Sequence, residues 1–171
     1  MMDEVPYKGI MRFPSFDKFQ NLRERTIGVQ AYLDLIEMQL PSCLPDEIVN
    51  SDYIKQLYRL ATRVFSWCND FHSLLKDIGR EPLNIVLVLE NEYKLPLAEA
   101  HAMAMEMHNR DLQSICDSQK NIPDFGVYQD AVAQFVNLLG VMIRGQHEWY
   151  KNDTMRYKEG GYPEKDSFIL P

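Results

Sequence analysis

Apolar residues recur along most of this chain every three or four positions, the spacing that sets one side of an α-helix against a core. They fall first at Phe16, Phe19 and Leu22, then at Val29, Leu33, Ile36 and Leu40. Between the two runs lies Thr26-Ile27-Gly28, a β-branched pair and a glycine. The glycine alone lowers helix stability by up to about 1 kcal/mol, so the spacing predicts a helix broken at that point. Pro41 and Pro45 end the segment. The longest run then begins at Asp52, a capping residue type, and passes through Ile54, Leu57, Tyr58, Ala61, Val64, Phe65, Cys68, His72 and Leu75. It predicts a helix to about Ile78, stopped by Gly79.

The stretch Asn84 to Leu89 reads Asn-Ile-Val-Leu-Val-Leu, a composition open to strand or helix. We assign it to helix because no second strand pattern exists to pair with it. Pro96 opens a segment from Leu97 to Gln119 rich in Ala, Met, His and Glu, and Pro123 with Gly126 breaks it. A last helix, from Val127 to about Tyr150, has Val132, Phe135, Val136, Leu139, Val141, Met142 and Ile143 on most of its faces, which predicts a buried middle. Residues 1–14, with Pro6, Gly9 and Pro14, read as an irregular arm, and 158–171, with Gly160, Gly161 and Pro163, as a loose tail. The expectation is a single all-α domain over 1–171.

Composition narrows the function. The chain has 171 residues, 46% hydrophobic and 25% charged, the size and balance of one folded domain. Its net charge is -7 and its 18 basic residues are scattered, whereas a nucleic-acid partner requires a concentrated basic surface. Cys43, Cys68 and Cys116 are odd in number and lack CxxC spacing, which suits a reducing compartment. No apolar run approaches the roughly 20 residues of a membrane span, and Asp3, Glu4 and Pro6 are unlike a signal peptide. A cytoplasmic location is expected. His101 and His108 flank Glu106 without HExxH order, Met103, Met105 and Met107 suit adaptable core packing, and there is no Gly-rich phosphate loop.

Candidate chemistry lies late in the longest predicted helix. Asn69, Ser73 and Asp77 stand four residues apart, so an amide, a hydroxyl and a carboxylate form a slanted strip over about 12 Å of axial rise. A hard cation such as Mg²⁺ takes a few protein oxygens of these kinds and fills its octahedron with water and phosphate. Because side chains tilt toward the helix N-terminus, Asp77 must lean back along the axis to join the other two. Lys76, beside it, is placed to meet a phosphate oxygen.

The full string Asn69-Asp70-Phe71-His72-Ser73-Leu74-Leu75-Lys76-Asp77, or NDxxSxxKD, resembles the second metal motif of class I terpene synthases, commonly written NDxxSxxxE. Arg23 lies 46 positions before Asn69, the separation at which that family carries its diphosphate-sensing arginine. Thr26-Ile27-Gly28 then corresponds to the family's helix break, whose carbonyl faces the developing allyl cation. Gly145-Gln146-His147-Glu148-Trp149 is similar to the family's Gly-Asn-x-x-Trp, and Arg156-Tyr157 to its terminal Arg-Tyr pair. The resemblance covers roughly residues 15 to 157. It implies a partial class I terpenoid synthase helical bundle that ionises a polyprenyl diphosphate, farnesyl diphosphate above all, and cyclises the carbocation. By the same resemblance Asn69, Ser73 and Asp77 bind one of three Mg²⁺ ions, and Arg23, Lys76, Arg156 and Tyr157 hold the diphosphate. Thr26, Ile27, Gly28 and Trp149 face the cation.

The sequence departs from the family pattern chiefly in two respects, beside which Gln146 in place of the usual Asn and a one-residue difference in spacing between Trp149 and Arg156 are minor. No Asp-Asp pair occurs, so the aspartate-rich DDxxD-type motif is missing, and its place would be well upstream of Arg23. Asp77 stands where Glu is usual, one methylene shorter at the ligand that reaches furthest. The chain is therefore expected to be a fragment or the product of a truncated gene, with doubtful activity by itself. Two further readings stay open: an inactive remnant, or a subunit completed by a partner chain that carries the missing motif; and a helical interaction module whose polar strip is accidental. The expected protein partner is a second copy, in a homodimer, or the missing N-terminal half.

Overall fold

The computed structural model describes residues 2–8, 10–158 and 160–162, and regular structure among them is helical throughout. The expected loose tail falls largely outside the described residues. The stretch whose Pro and Gly content marks it as irregular carries a 3-10 turn, Met2–Glu4, and one helical turn, α1 (Val5–Lys8). Ion pairs hold it in place: Lys8 Nζ lies 2.7 Å from Glu4 Oε2 and 3.2 Å from Glu81 Oε2. The first pair is local, but Glu81 comes from a distant part of the sequence, so apolar spacing gave no sign of the turn.

Helix α2 (Phe16–Thr26) is followed by α3 (Val29–Glu37), and the break between them takes the form the sequence predicts. Gly28 sits at φ +82°, a left-handed conformation that turns the chain before α3 starts. After a short turn, α4 (Asp46–Val49), comes the central helix α5 (Asp52–Asp77). Its cap is Ser51, one residue earlier than expected, whose hydroxyl accepts the Ile54 N–H at 3.4 Å. Gly79 at φ +70° ends it, and the Asp77 carbonyl accepts the N–H groups of Arg80 and Glu81 at 2.9 Å each.

Helix α6 (Ile85–Tyr93) resolves the ambiguous apolar run. Asn84 accepts the Val86 N–H at 3.0 Å as N-cap, and Ile85 to Leu89 are all buried. A run apolar on every face belongs to a helix enclosed on all sides. Pro96 precedes α7 (Leu97–Lys120), whose Ala100 and Ala104 are fully buried and let α6 approach closely. Helix α8 (Gln129–Glu148) follows a 3-10 turn, Gly126–Tyr128, and runs into a π-helical turn, Trp149–Asp153, closed by Thr154 N–H to the Trp149 carbonyl at 3.0 Å. The middle of α8 departs from expectation: Val132, Phe135, Val136 and Leu139 are buried, but Val141 is 61% exposed and Met142 and Ile143 are covered only in part. No described element covers that face.

Helix α5 packs against α2, α3, α6, α7 and α8. One core lies between α3, α5 and α8, and a second joins α2, α6 and α7 around Trp67 of α5, whose ring stacks on Phe19 at 5.8 Å. The first core meets α5 as far as Phe65, and the second meets it from Trp67 to Leu74, beside the motif. None of the described helices is long and apolar enough to cross a membrane.

Candidate metal and diphosphate site

Two of the three strip residues are buried, Ser73 at 2% exposed and Asp77 at 4%, Asn69 is half-buried, and Asp70 beside it is 1% exposed. Burial of so many polar groups requires partners, and these come from α5 itself and from α2 and α6. Asp77 leans back along the helix, as the geometry of side chains demands, and its Oδ2 accepts the Ser73 hydroxyl at 2.5 Å. Asn84, from the N-terminus of α6, donates to the same Oδ2 at 3.1 Å, to the Asp70 carbonyl at 2.7 Å and to Ser73 Oγ at 3.5 Å. One amide thus fastens α6 to three groups of the strip.

Asp70 anchors the arginine. Its Oδ1 accepts from Arg23 Nη2 at 2.6 Å and its Oδ2 from the Ile85 N–H at 2.9 Å, where the N-terminal dipole of α6 favours a carboxylate. Burial pushes the Asp70 carboxyl up to about 6, with Arg23 and Ile85 pulling it back and Asp77 adding like charge. Arg23 also donates to Asn69 Oδ1 at 3.5 Å, and Glu4 Oε1 lies 4.0 Å from its Nη1. Burial acts to raise the Glu4 carboxyl, but Lys8 and the Thr26 hydroxyl prevail and hold it below its usual value.

The segment after α8 closes the arrangement. Asn69 Nδ2 donates to the Tyr150 hydroxyl at 2.6 Å and to that of Tyr157 at 3.0 Å. Tyr150 is carried inward by the π-helical turn, a feature frequent at functional sites. Burial pushes its phenol up to about 12, so it remains neutral. Lys76 Nζ lies 3.2 Å from Asp77 Oδ1 and 5.4 Å from the centre of the Tyr157 ring, over which the Arg156 guanidinium also sits at 5.6 Å.

These residues enclose a polar recess of about 330 Å³, lined by Arg23, Asn69, Asp70, Ser73, Lys76, Asp77, Arg156 and Tyr157 together with Lys8 and Glu81. A second recess of about 510 Å³ adjoins it, with Val29, Tyr32, Phe65, Met142, Trp149 and Tyr150 in its walls. Ile27, Asn69, Arg156 and Tyr157 line both. Of the other residues singled out from sequence, Trp149 faces the apolar recess and is 44% exposed. The Thr26 hydroxyl donates to the Leu22 carbonyl at 3.0 Å, and Gly28 contributes its backbone turn. Asp70, Asn84, Tyr150 and Glu4 were not selected by sequence. Asp70 stood inside the motif itself, but a partner for it was visible only once α2 and α6 had docked.

A hard divalent ion fits this donor set. Asp77 Oδ1 is buried and makes no hydrogen bond, although Lys76 pairs with it electrostatically, and Arg23 Nε is likewise buried without a hydrogen-bond partner. A carboxylate oxygen left without a donor beside a serine hydroxyl and an amide oxygen is the ligand chemistry Mg²⁺ selects.

Known proteins supply an independent comparison. Residues 1–114 match the family profile described as terpene synthase family 2, C-terminal metal binding. The chain is 30% identical to 10-epi-cubebol synthase of Sorangium cellulosum over 158 residues, 91% of this chain and 50% of that protein. It is 34% identical to the farnesyl diphosphate-cyclizing (-)-beta-caryophyllene synthase of Saccharothrix espanaensis over 149 residues, 82% of this chain and 42% of that one. Its fold matches the linalool/nerolidol synthase of Streptomyces clavuligerus, solved with 2-fluorogeranyl diphosphate, with a TM-score of 0.79 at 18% identity, covering 86% of this chain and 53% of that one. The chain thus spans about half the length of the curated relatives it matches. It belongs to the terpene synthase family, with the all-α fold of the class I enzymes, and corresponds to their C-terminal, metal-binding part.

Proposed function

We propose that this chain is the metal- and diphosphate-binding portion of a class I terpene synthase that acts on a polyprenyl diphosphate, farnesyl diphosphate in the first place. The observation that carries this reading is the pair of adjoining recesses. The oxygen strip and four cationic side chains, Lys8, Arg23, Lys76 and Arg156, line the polar one, and it meets the apolar one across a shared rim. The net charge of -7 is no obstacle to an anionic ligand here, because four of the 18 basic residues line the recess where the ligand would sit.

Asn69, Ser73 and Asp77 would hold one Mg²⁺, which when bound supplies positive charge to the departing diphosphate. Arg23 and Arg156 offer forked donors to phosphate oxygens, and Lys76 a point charge. Tyr157 adds a hydroxyl and Tyr150 keeps Asn69 oriented. Phe65, Met142, Tyr32 and Trp149 give the apolar recess polarisable walls against which an allyl cation, formed as diphosphate leaves, can be stabilised and kept from water. The farnesyl chain length rests on the activity named for the Saccharothrix relative.

Calorimetric titration of the purified chain with inorganic diphosphate tests the reading. Binding is expected only in the presence of Mg²⁺, and at least tenfold weaker in Asp77→Ala. Equal heats with and without Mg²⁺, or none in either, would sink it.

A further inference from the structure

One residue around α5 from the oxygen strip, a second set of metal ligands comes together that the diphosphate reading does not use. Cys68 and His72 are four residues apart on α5 and so share a face. His147, in the last turn of α8, meets them: Cys68 Sγ and one ring nitrogen from each histidine all lie within 4.8 Å of one another. These donors are of a different kind from Asn69, Ser73 and Asp77. A thiolate and two imidazoles suit a borderline-soft ion such as Zn²⁺ and are poor ligands for Mg²⁺.

We propose that Cys68, His72 and His147 form a binding site for Zn²⁺ or a similar transition-metal ion, separate from the oxygen strip. Three protein ligands leave a fourth position open, the arrangement of a site that takes water or an exogenous ligand. A tetrahedral ion with bonds of about 2.0 to 2.3 Å holds its ligands roughly 3.5 Å apart. The three ligand atoms, within 4.8 Å of one another, draw together to that value on binding, and His147 is the exposed member of the set. Nothing competes for the donors, since no hydrogen bond or ion pair among the described residues engages any of the three. On binding, the thiol proton leaves to solvent and the sulfur ligates as thiolate.

The surroundings support an ordered site. The His72 ring is stacked on Tyr150 at 4.6 Å with the planes 8° apart, which fixes its orientation. Cys68 and His147 also line an apolar cavity of about 390 Å³ between α5, α7 and α8, where a buried sulfur is shielded from solvent. An ion here would tie the last turn of α8 to α5. That turn leads into the Trp149–Asp153 segment bearing Tyr150, whose hydroxyl holds Asn69.

Co²⁺ serves as the spectroscopic probe, with Zn²⁺ as competitor. In the full 171-residue chain, with exposed Cys43 replaced by Ser, one equivalent of Co²⁺ is expected to give tetrahedral ligand-field bands and a thiolate charge-transfer band, both erased by one equivalent of Zn²⁺. Loss of a metal's outer-shell partner already weakens affinity roughly 10- to 100-fold, so Cys68→Ser and His147→Gln should each exceed a tenfold loss. His147 is exposed, so His147→Gln is expected to fold normally, and unchanged circular dichroism checks that. Asp77→Ala and Cys116→Ser should keep the bands. The proposal is overturned if Co²⁺ gives no thiolate band, if Cys68→Ser or His147→Gln leaves the spectrum unchanged, or if Asp77→Ala abolishes it. Mg²⁺-dependent diphosphate binding is measured separately, so failure of one site is distinguishable from failure of the other.

Discussion

Asp70 shows how much of the site's stability rests on a residue that need not touch ligand. Its two oxygens satisfy Arg23 and the first N–H of α6, and removing them leaves a buried guanidinium without its short partner. Breaking a buried pair from one side costs about 3–5 kcal/mol, so Asp70→Ala should lower the unfolding free energy by that order in urea titration. Asp70→Asn, which keeps an acceptor for Ile85, should cost less. His108 gives a prediction in pH. Burial holds its imidazole below the ordinary value of 6.5, with His147 contributing and Asn109 and Asp111 opposing. The unfolded chain therefore binds more protons in the window just below 6.5, and the stability linked to His108 is full above 6.5 and lost as pH falls through the depressed value. His108→Gln should narrow the gap in melting temperature between pH 7.5 and pH 5.5 relative to the parent chain. An equal or wider gap would contradict this.

Among the elements, the two that position the site are the α2–α3 break and the start of α6. Gly28 at φ +82° has open space where a Cβ would go, so its replacement is a matter of dihedral strain alone. Gly28→Ala should cost about 1–2 kcal/mol, read as a shift in the urea midpoint at unchanged slope. Asn84 both caps α6 and ties it to the strip. A lost cap costs about 1 kcal/mol, and stranded buried acceptors about 1–3 kcal/mol more. Asn84→Ala should therefore lower stability by roughly 2–4 kcal/mol and weaken Mg²⁺-dependent diphosphate binding, because Asp77 loses the donor that orients it. Element boundaries were largely legible before the structure: the glycine break, the stop at Gly79 and the proline ahead of α7 are local features with local causes. The exposed face at Val141 was not, since an apolar pattern records the capacity for burial and says nothing of what covers it.

For the whole molecule, the polar recess is built from α2, α5 and the segment after α8, with Lys8 and Glu81 at its edge. Carrying one oxygen strip and no aspartate-rich motif, this 171-residue chain should bind Mg²⁺-diphosphate yet release little or no hydrocarbon from farnesyl diphosphate, as gas chromatography of an overlay would measure. Abundant sesquiterpene would show that the strip and its cationic partners suffice. Helix content, the break and the oxygen strip were determined by the sequence alone, because helical period and short-range spacing are properties of a single element and survive in one dimension, whereas Arg23, on another helix, was marked only by the resemblance to the family pattern. Only the tertiary structure decided that Asp70 pairs with Arg23, that Asn84 bridges three groups, that Tyr150 turns inward to hold Asn69, and that Cys68, His72 and His147 converge. Each of these depends on which faces of α2, α5, α6 and α8 meet when the two cores close, and burial then obliges most of the polar groups left between them to find partners, Asp77 Oδ1 being left for a ligand.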